Sequence, residues 1–220
     1  MRRPHCLIVS PSVPAADTAP YRSADENLGY YPAIGRPPSQ SGSAWCDPQQ
    51  ARRAQPTWCN GGIPQLTDIA RHVAKVKQDV AHAIPDPGFS GLAAIDFETW
   101  QPVWEWTGCT GPNAASNPYC NASIAKIRAE QPQLNSSAVN AAAGKEWERA
   151  ARVFMTATIE AAKETRPQGT WGYYDYPSCG DAAGEYSGAD VDCPSGMKAG
   201  NEKLAWMYST SDALYPYPPI

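Results

Sequence analysis

The chain has 220 residues, a length typical of one large domain or two small ones. Its net charge is −4, with 18 basic and 22 acidic residues, which excludes the basic surface of most nucleic-acid-binding domains. The 22 Pro and 17 Gly residues exclude a coiled coil or a simple helical bundle. Leu, Ile, Val and Phe account for only 29 residues, but 8 Trp and 11 Tyr supply large ring surfaces. The composition therefore indicates a folded, aromatic-rich protein with long loops.

Up to residue 84 the sequence predicts one regular element. Residues 1–20 are rich in Pro, Ala and Ser and lack the period of a helix or a strand, so we expect disorder there. Residues 28–60 form a loop-rich segment with aromatic clusters. From Leu66 to Ile84, apolar residues recur every three or four positions, which predicts a helix with one buried face.

Strands and helices alternate in the remainder. The short apolar run over residues 91–97 predicts a strand buried on both faces, as in a parallel sheet. After a long loop, the pattern predicts a helix over 136–165 and a strand over 170–174. A third helix is predicted over 201–211, and residues 213–215 begin another strand. This order indicates the α/β class with right-handed crossovers.

The cysteines favour an oxidising compartment. All seven lie in loop-like sequence, and none forms the paired CxxC arrangement typical of zinc. Asn121 and Asn135 begin N-glycosylation sequons. Arg2 and Arg3 would suit a signal peptide, but the apolar run after them is too short, so we expect no signal peptide in this chain. No stretch reaches the roughly 20 apolar residues of a membrane span, and the three histidines show no ligand spacing, so no metal site is predicted.

Two carboxylates mark the end of the predicted buried strand. Asp96 and Glu98 point to the same face because side chains alternate along a strand. Their Cα atoms are expected roughly 6 to 7 Å apart, a spacing suited to acid/base chemistry on a glycosidic bond. The carboxyl end of a parallel strand is also where α/β enzymes place their sites. Alone, such a pair more often meets solvent or caps the next helix, so neighbouring residues must support a catalytic role.

The sequence around Asp96 and Glu98 resembles the signature of a known family. Residues 91–104, GLAAIDFETWQPVW, resemble the signature of the animal hyaluronidases, glycoside hydrolase family 56, which runs roughly GLAVIDWEEWRPLW. Four further blocks resemble family blocks in the same order. They are LGYYP at 28–32, NGGIPQ at 60–65, RP followed by WGYYDYPSC at 166–179, and ALYP at 213–216. The resemblance thus covers residues 28–216.

The resemblance implies an α/β fold, namely a partial TIM-like (β/α) barrel with long loops. It assigns residues 28–220 to the barrel catalytic domain and residues 1–27 to a disordered or non-family segment. The family's first strand and most of its second have no counterpart, and several strands beyond residue 216 are missing. Since a closed barrel typically needs about 250 residues, we expect a chain truncated at both ends.

The resemblance also implies a mechanism and its residues. Glu98 would be the proton donor, and Asp96 would orient the substrate's N-acetyl group, whose carbonyl oxygen is the nucleophile in this substrate-assisted retaining hydrolysis. Asp96 would steady the oxazolinium intermediate and raise the pKa of Glu98 through its like charge, which predicts an acidic optimum. Tyr174 would hydrogen-bond the acetamido group or the carboxylates, unless it simply packs at the strand end. No cofactor and no metal is implied.

Four residues are predicted substrate contacts. Gln101 occupies the family's Arg position, so the cation that would pair with a hyaluronan carboxylate is lost. Trp100, like Trp104 and Trp106, either stacks on sugar rings or fills the barrel wall. The two remaining candidates are Tyr173, in the WGYY block, and Tyr217, near the place of another family tyrosine without aligning to it.

Disulfides are predicted from the cysteine positions. Cys179 and Cys193 have the position and spacing of a family disulfide. Cys109 and Cys120 flank a loop rich in Gly, Pro and Asn and form a second candidate pair that has no family counterpart. A weaker third pair joins Cys46 and Cys59, and Cys6 is left over.

Three functions follow as hypotheses. The first is a hyaluronidase that hydrolyses hyaluronan, a glycosaminoglycan, and the second is a catalytically inactive fragment or glycan-binding module of the same family. The third keeps the enzyme and changes the substrate to chondroitin. The resemblance and the cysteines together predict a secreted or lysosomal glycoprotein, with no nucleic-acid partner.

Overall fold

A computed structural model describes residues 32–35, 57–97, 100–179 and 193–216. Among the predicted site residues, Glu98 and Tyr217 lie outside this part, as do residues 1–27 and Cys46. The elements in chain order are β1 (Ala33–Gly35), β2 (Thr57–Cys59), α1 (Ile69–Ala83), β3 (Leu92–Ile95), α2 (Pro118–Glu130), α3 (Ser136–Thr165), β4 (Thr170–Tyr173), α4 (Ser195–Lys203) and α5 (Ala205–Thr210).

Two short sheets are present in the described residues. Strands β1 and β2 pair antiparallel in a segment where the sequence predicted loops. Strands β3 and β4 pair in parallel, with Leu92 opposite Thr170 and Ile95 opposite Tyr173. This pair confirms the predicted parallel sheet, because helix α3 provides the crossover that parallel neighbours need. The predicted strand at 213–215 is reduced to one parallel bridge between Tyr174 and Tyr215.

The helix predictions hold in part. Helix α3 has the predicted bounds, and α1 begins three residues later than predicted because Asp68 caps it, accepting the Arg71 N–H at 3.0 Å. The predicted third helix is two helices, α4 and α5, separated at Leu204. Helix α2 lies where a long loop was predicted. None of the described helices is long and apolar enough to cross a membrane.

The described residues belong to two compact units. One contains residues 74–97, 158–179 and 193–216, and the other contains 32–35, 57–73 and 100–157. We call them the sheet unit and the aromatic unit, after the β3–β4 pair and a cluster of rings. Helices α1 and α3 each contribute residues to both units.

A buried arginine joins helix ends within the sheet unit. The Arg166 side chain is 7% exposed, and its Nε donates to the Ile84 carbonyl at 2.8 Å. Its Nη1 donates to the carbonyl of Thr165 at 2.7 Å, and its Nη2 donates to those of Ile84 and Ala81. The guanidinium thus satisfies carbonyls at the ends of α1 and α3 that would otherwise lack partners.

Aromatic rings form much of the core of the aromatic unit. Trp147 of α3 is fully buried and lies 5.3 Å from Trp100, 5.7 Å from Trp104 and 6.1 Å from Tyr119, measured between ring centroids. Its Nε1 donates to the Gln101 carbonyl at 3.0 Å. On the same helix, Phe154 stacks on the buried His72 ring at 4.1 Å. This cluster explains how a chain poor in Leu, Ile, Val and Phe builds a core.

Tight packing against α3 leads to a stability prediction. An interior helical Gly→Ala change usually stabilises by about 1 kcal/mol. A Cβ on Gly144, however, would lie 2.9 Å from Cδ1 of Trp104, whose ring is 6% exposed and whose backbone N–H donates to Glu148. We therefore expect Gly144→Ala to destabilise the protein by about 1 to 3 kcal/mol, measured by urea unfolding.

Gly196 provides the control, because a Cβ there meets nothing within 4 Å. Gly196→Ala should be neutral or stabilising in the same experiment. If both substitutions stabilise the protein equally, the Trp104 ring moves away from the new Cβ at little cost in free energy, and the prediction is wrong.

Candidate active site

Asp96 and Tyr174 lie side by side at the carboxyl ends of the parallel strands. Asp96 follows β3 and Tyr174 follows β4, and the Tyr174 N–H donates to the Ile95 carbonyl at 3.0 Å, so the pairing continues past the last strand residues. Since Ala94 is opposite Gly172, the same register brings Asp96 opposite Tyr174 on the same face. Both residues are partly exposed. A carboxylate and a phenol therefore share one face at the edge where parallel sheets carry their sites.

Tyr173 faces the opposite side. Its ring is 3% exposed, and its hydroxyl hydrogen-bonds Thr158 of α3. Burial raises the pKa of this hydroxyl, and the bond to Thr158 opposes the shift. A substrate contact would require the ring to leave its packed position, so the geometry favours a packing role over the predicted substrate contact.

A glycine makes room for the segment that follows α5. A Cβ on Gly172 would lie 2.1 Å from the Ala213 carbonyl oxygen and 2.9 Å from the Tyr215 ring. Tyr215 donates from its hydroxyl to the Thr170 carbonyl at 2.7 Å, and its carbonyl accepts the Asp175 N–H at 2.9 Å. This explains the glycine of the WGYY block, because only a residue without a side chain lets residues 213–215 reach β4.

A charged network fixes the same segment. Lys163 donates to Asp212 Oδ1 and to the Thr210 carbonyl, both at 2.7 Å, and the Trp171 N–H donates to Asp212 Oδ2 at 3.0 Å. Partial burial acts to raise the pKa of Asp212, but the hydrogen bonds from Lys163 and Trp171 outweigh it, so the pKa is lowered.

This shift gives a pH-dependent prediction. A carboxyl whose pKa is lowered by folding stabilises the protein above its unfolded-state pKa of about 3.9, and the effect is lost as pH falls through the folded-state value. We expect Asp212→Asn to lower the melting temperature at pH 7 and to lower it by less as pH falls through the folded-state pKa. As a control for the loss of a surface carboxylate, Asp86→Asn should change the melting temperature at pH 7 much less, since an Asn can still accept the Gly88 N–H. An Asp212→Asn effect of equal size at pH 7 and below the folded-state pKa would contradict the prediction.

The other described candidates, Trp100 and Gln101, belong to the aromatic unit. Trp100 is 3% exposed, donates from Nε1 to the Pro32 carbonyl at 2.9 Å and packs against Trp147 and Phe154. These contacts favour the alternative in which most of the Trp100 ring packs in the barrel wall and does not stack on sugar rings. Gln101 is half-buried, and its backbone is held by the Thr107 hydroxyl, which donates to the Gln101 carbonyl at 2.6 Å.

The pocket beside Gln101 was not predicted. Trp106 and Tyr119 line it together with Trp100 and Gln101. Trp100, Gln101 and Trp106 were predicted as possible sugar contacts, whereas no role was predicted for Tyr119. The available signal was Asn117-Pro118, a capping residue followed by Pro in the first turn, which marks the start of α2.

Both leading disulfide pairs are present. Cys109 and Cys120 are bonded with their Cα atoms 5.3 Å apart, and Cys179 and Cys193 with theirs 5.1 Å apart. The predicted partner of Cys59 lies outside the described residues.

The two sequons differ in their surroundings. Asn135 is exposed before α3, where its Oδ1 accepts the Ala138 N–H at 2.9 Å. Asn121 is exposed on α2, but the Ser123 of its sequon is fully buried and accepts a hydrogen bond from Gln65 at 3.0 Å. Glycosylation stays a prediction at both positions.

Comparison with known proteins places these features in a family. A sequence model of the hyaluronidase family matches residues 48–218. Human hyaluronidase-1 is 38% identical over 159 residues, which is 71% of this chain and 35% of the human protein. A chondroitin hydrolase of Caenorhabditis elegans is 34% identical over 157 residues, 71% of this chain and 33% of the nematode protein.

A solved structure agrees with these matches. The crystal structure of bee venom hyaluronidase in complex with a hyaluronic acid tetramer superposes with a TM-score of 0.68 and 28% identity, covering 86% of this chain and 52% of the bee protein. The predicted partial (β/α) barrel is thereby confirmed as the fold class. The chain spans about a third of the length of these curated relatives and about half of the solved structure. Since the family match extends over most of its residues, the chain belongs to the hyaluronidase family.

Proposed function

We propose that this chain is a glycoside hydrolase that cleaves hyaluronan by substrate-assisted retaining hydrolysis. Glu98 is the proton donor, and Asp96 orients the N-acetyl group whose carbonyl oxygen attacks the anomeric carbon. Attack forms an oxazolinium ion and releases the leaving sugar, whose oxygen takes the proton of Glu98. Glu98 then removes a proton from water, which opens the oxazolinium ion and restores the N-acetyl group. Tyr174 holds the acetamido group in place.

One observation carries the proposal. The β3–β4 register sets Asp96 next to Tyr174 at the carboxyl edge of a parallel pair, and both residues belong to blocks that resemble the family's signature. The human relative and the bee structure, both named hyaluronidases, support the substrate.

A glycan-binding role without hydrolysis is the second candidate. Gln101 occupies the position where the family signature has Arg, so a charge-assisted contact to a hyaluronan carboxylate is missing. A chain of this kind would hold glycosaminoglycan without shortening it. Chondroitin is the alternative substrate, supported by the name of the nematode relative.

The proposal includes an extracellular or lysosomal location. Two disulfides support this, because such bonds persist in oxidising compartments and are rare in the cytosol.

The test is release of reducing ends from hyaluronan and from chondroitin at acid pH, with Asp96→Asn beside the unchanged chain. We expect release from hyaluronan and a loss of at least about tenfold in kcat for Asp96→Asn, since the variant orients the acetamido group poorly. Asp86→Asn, on an exposed loop, should match the unchanged chain. If reducing ends are released from neither polymer, the proposal that this chain is a hydrolase is wrong. If they are released from chondroitin alone, the substrate is chondroitin and not hyaluronan.

A further inference from the structure

A pocket in the aromatic unit has walls unlike those of a charged-ligand site. Its volume is about 410 Å³, within the usual range for small-molecule sites. Among the described residues, those that line it are aromatic, amide, hydroxyl or small, and none carries a charge. Trp106 and Tyr119 supply ring surface, while Gln101, Asn113 and Ser116 supply amide and hydroxyl groups.

The pocket is held in shape by several bonds. The Thr107 hydroxyl accepts the Gln101 N–H at 3.1 Å and donates to the Gln101 carbonyl at 2.6 Å. Asn117 caps α2 by accepting the N–H of Tyr119 at 2.9 Å, and it donates to the Thr107 carbonyl at 2.7 Å. The disulfide Cys109–Cys120 closes the loop that bears half of the lining residues. A pocket held in this way loses little freedom when it binds a ligand.

The chemistry of the walls selects a class of ligand. An aromatic ring covers the apolar face of a pyranose, and neutral amides and hydroxyls exchange hydrogen bonds with its hydroxyl and acetamido groups. A carboxylate or sulfate would lose water here without gaining a described cation. An apolar ligand would strip water from the amide and hydroxyl groups without replacing their hydrogen bonds.

We propose that this pocket binds an uncharged sugar unit, an N-acetylhexosamine, with Trp106 as the stacking surface. The inference rests on the glycan binding in the proposed function and deepens it, because it names the pocket and the sugar unit and requires no chemical step. It also gives the Cys109–Cys120 bridge, which the family signature does not explain, a role in forming a sugar-binding wall.

The experiment measures the binding of N,N′-diacetylchitobiose, an uncharged probe, and of a hyaluronan tetrasaccharide by titration calorimetry. Both titrations use the full 220-residue chain carrying Glu98→Gln, so that no probe is consumed and failure of hydrolysis does not obscure the result. We expect chitobiose to bind and Trp106→Ala to weaken it about tenfold. Trp206→Ala, which removes an indole outside the pocket, should leave the affinity unchanged. Circular dichroism verifies that each variant is folded.

A second variant keeps the test decisive if Trp106→Ala fails to fold. Gln101→Arg introduces a cation into the wall and should raise affinity for the hyaluronan tetrasaccharide relative to chitobiose, with the gain falling as salt is added. Chitobiose binding that is unaffected by Trp106→Ala, or a tetrasaccharide preference that Gln101→Arg leaves unchanged, would overturn the proposal. Absence of chitobiose binding by the folded parent would also overturn it. Hydrolysis of hyaluronan by the unchanged chain has no bearing on these outcomes.

Discussion

Replacing Glu98 by Gln is expected to lower kcat on hyaluronan by about 10² to 10⁴-fold, the range that a positioned general acid contributes. Gln keeps the size and hydrogen-bonding shape of the side chain but cannot give its proton to the leaving sugar oxygen. Because sugar binding in the ground state does not need that proton, KM should change little. The measurement is reducing-end release over a range of hyaluronan concentrations at acid pH, which gives kcat and KM separately.

Glu105→Gln is the matched control. It makes the same chemical change seven residues further on, at an exposed position outside the proposed catalytic group. This variant should retain the activity of the unchanged chain. An activity loss of similar size in both variants would point to charge or folding rather than proton transfer, and a fully active Glu98→Gln chain would remove Glu98 from the mechanism.

Trp147→Ala is expected to reduce the free energy of unfolding by about 3 to 5 kcal/mol, as large-to-small changes in packed cores do. The Trp147 ring is fully buried and contacts Trp100, Trp104 and Tyr119, and its Nε1 holds the Gln101 carbonyl. Its removal leaves a cavity that these large rings cannot fill by small shifts. Since domains are stable by about 5 to 15 kcal/mol, this single change consumes a large share of the total.

Two further variants separate packing from general effects. Trp147→Phe keeps a ring but loses the bond to the Gln101 carbonyl, so its effect should be intermediate. Val153→Ala shortens an apolar side chain of the same helix that is 44% exposed, and it should change stability by no more than about 0.5 kcal/mol. Urea unfolding measures all three. If Trp147→Ala lowers the free energy of unfolding as little as Val153→Ala does, packing of the Trp147 ring does not contribute the expected stability.

The elements with strong periodicity were predictable from the sequence. Helix α3 has a long apolar stripe and a stop at Arg166-Pro167, and its observed bounds equal the predicted ones. Strand β3 and its place in a parallel sheet were predicted from a short apolar run without alternation, and β3 pairs in parallel with β4. Each signal here is local, and the tertiary contacts agree with it.

Helix α2 was missed because its buried positions are not a conventional apolar stripe. They are Cys120, Ala122, Ser123 and Ile127, of which only the last is a large apolar residue. A disulfide and the bond between Ser123 and Gln65 provide contacts that hydrophobic spacing does not reveal. The start of the helix was still marked by Asn117 and Pro118.

Strand alternation predicts which residues of the WGYY block can lie beside Asp96. Tyr173 and Tyr174 are consecutive strand residues, so alternation alone assigns them to opposite faces and leaves only one of them beside Asp96. Which one faces the site depends on register, and the β3–β4 pairing selects Tyr174. The pocket between Gln101 and Tyr119 depends on a loop conformation that no sequence period encodes.

The most direct test is the chain length of hyaluronan after incubation with this protein, measured by size-exclusion chromatography with light scattering. We expect a polymer of defined length to shift to progressively shorter fragments at acid pH, and we expect the Glu98→Gln chain to leave the polymer intact. Unshortened hyaluronan that co-elutes with the unchanged protein would contradict hydrolysis and identify a binding module instead.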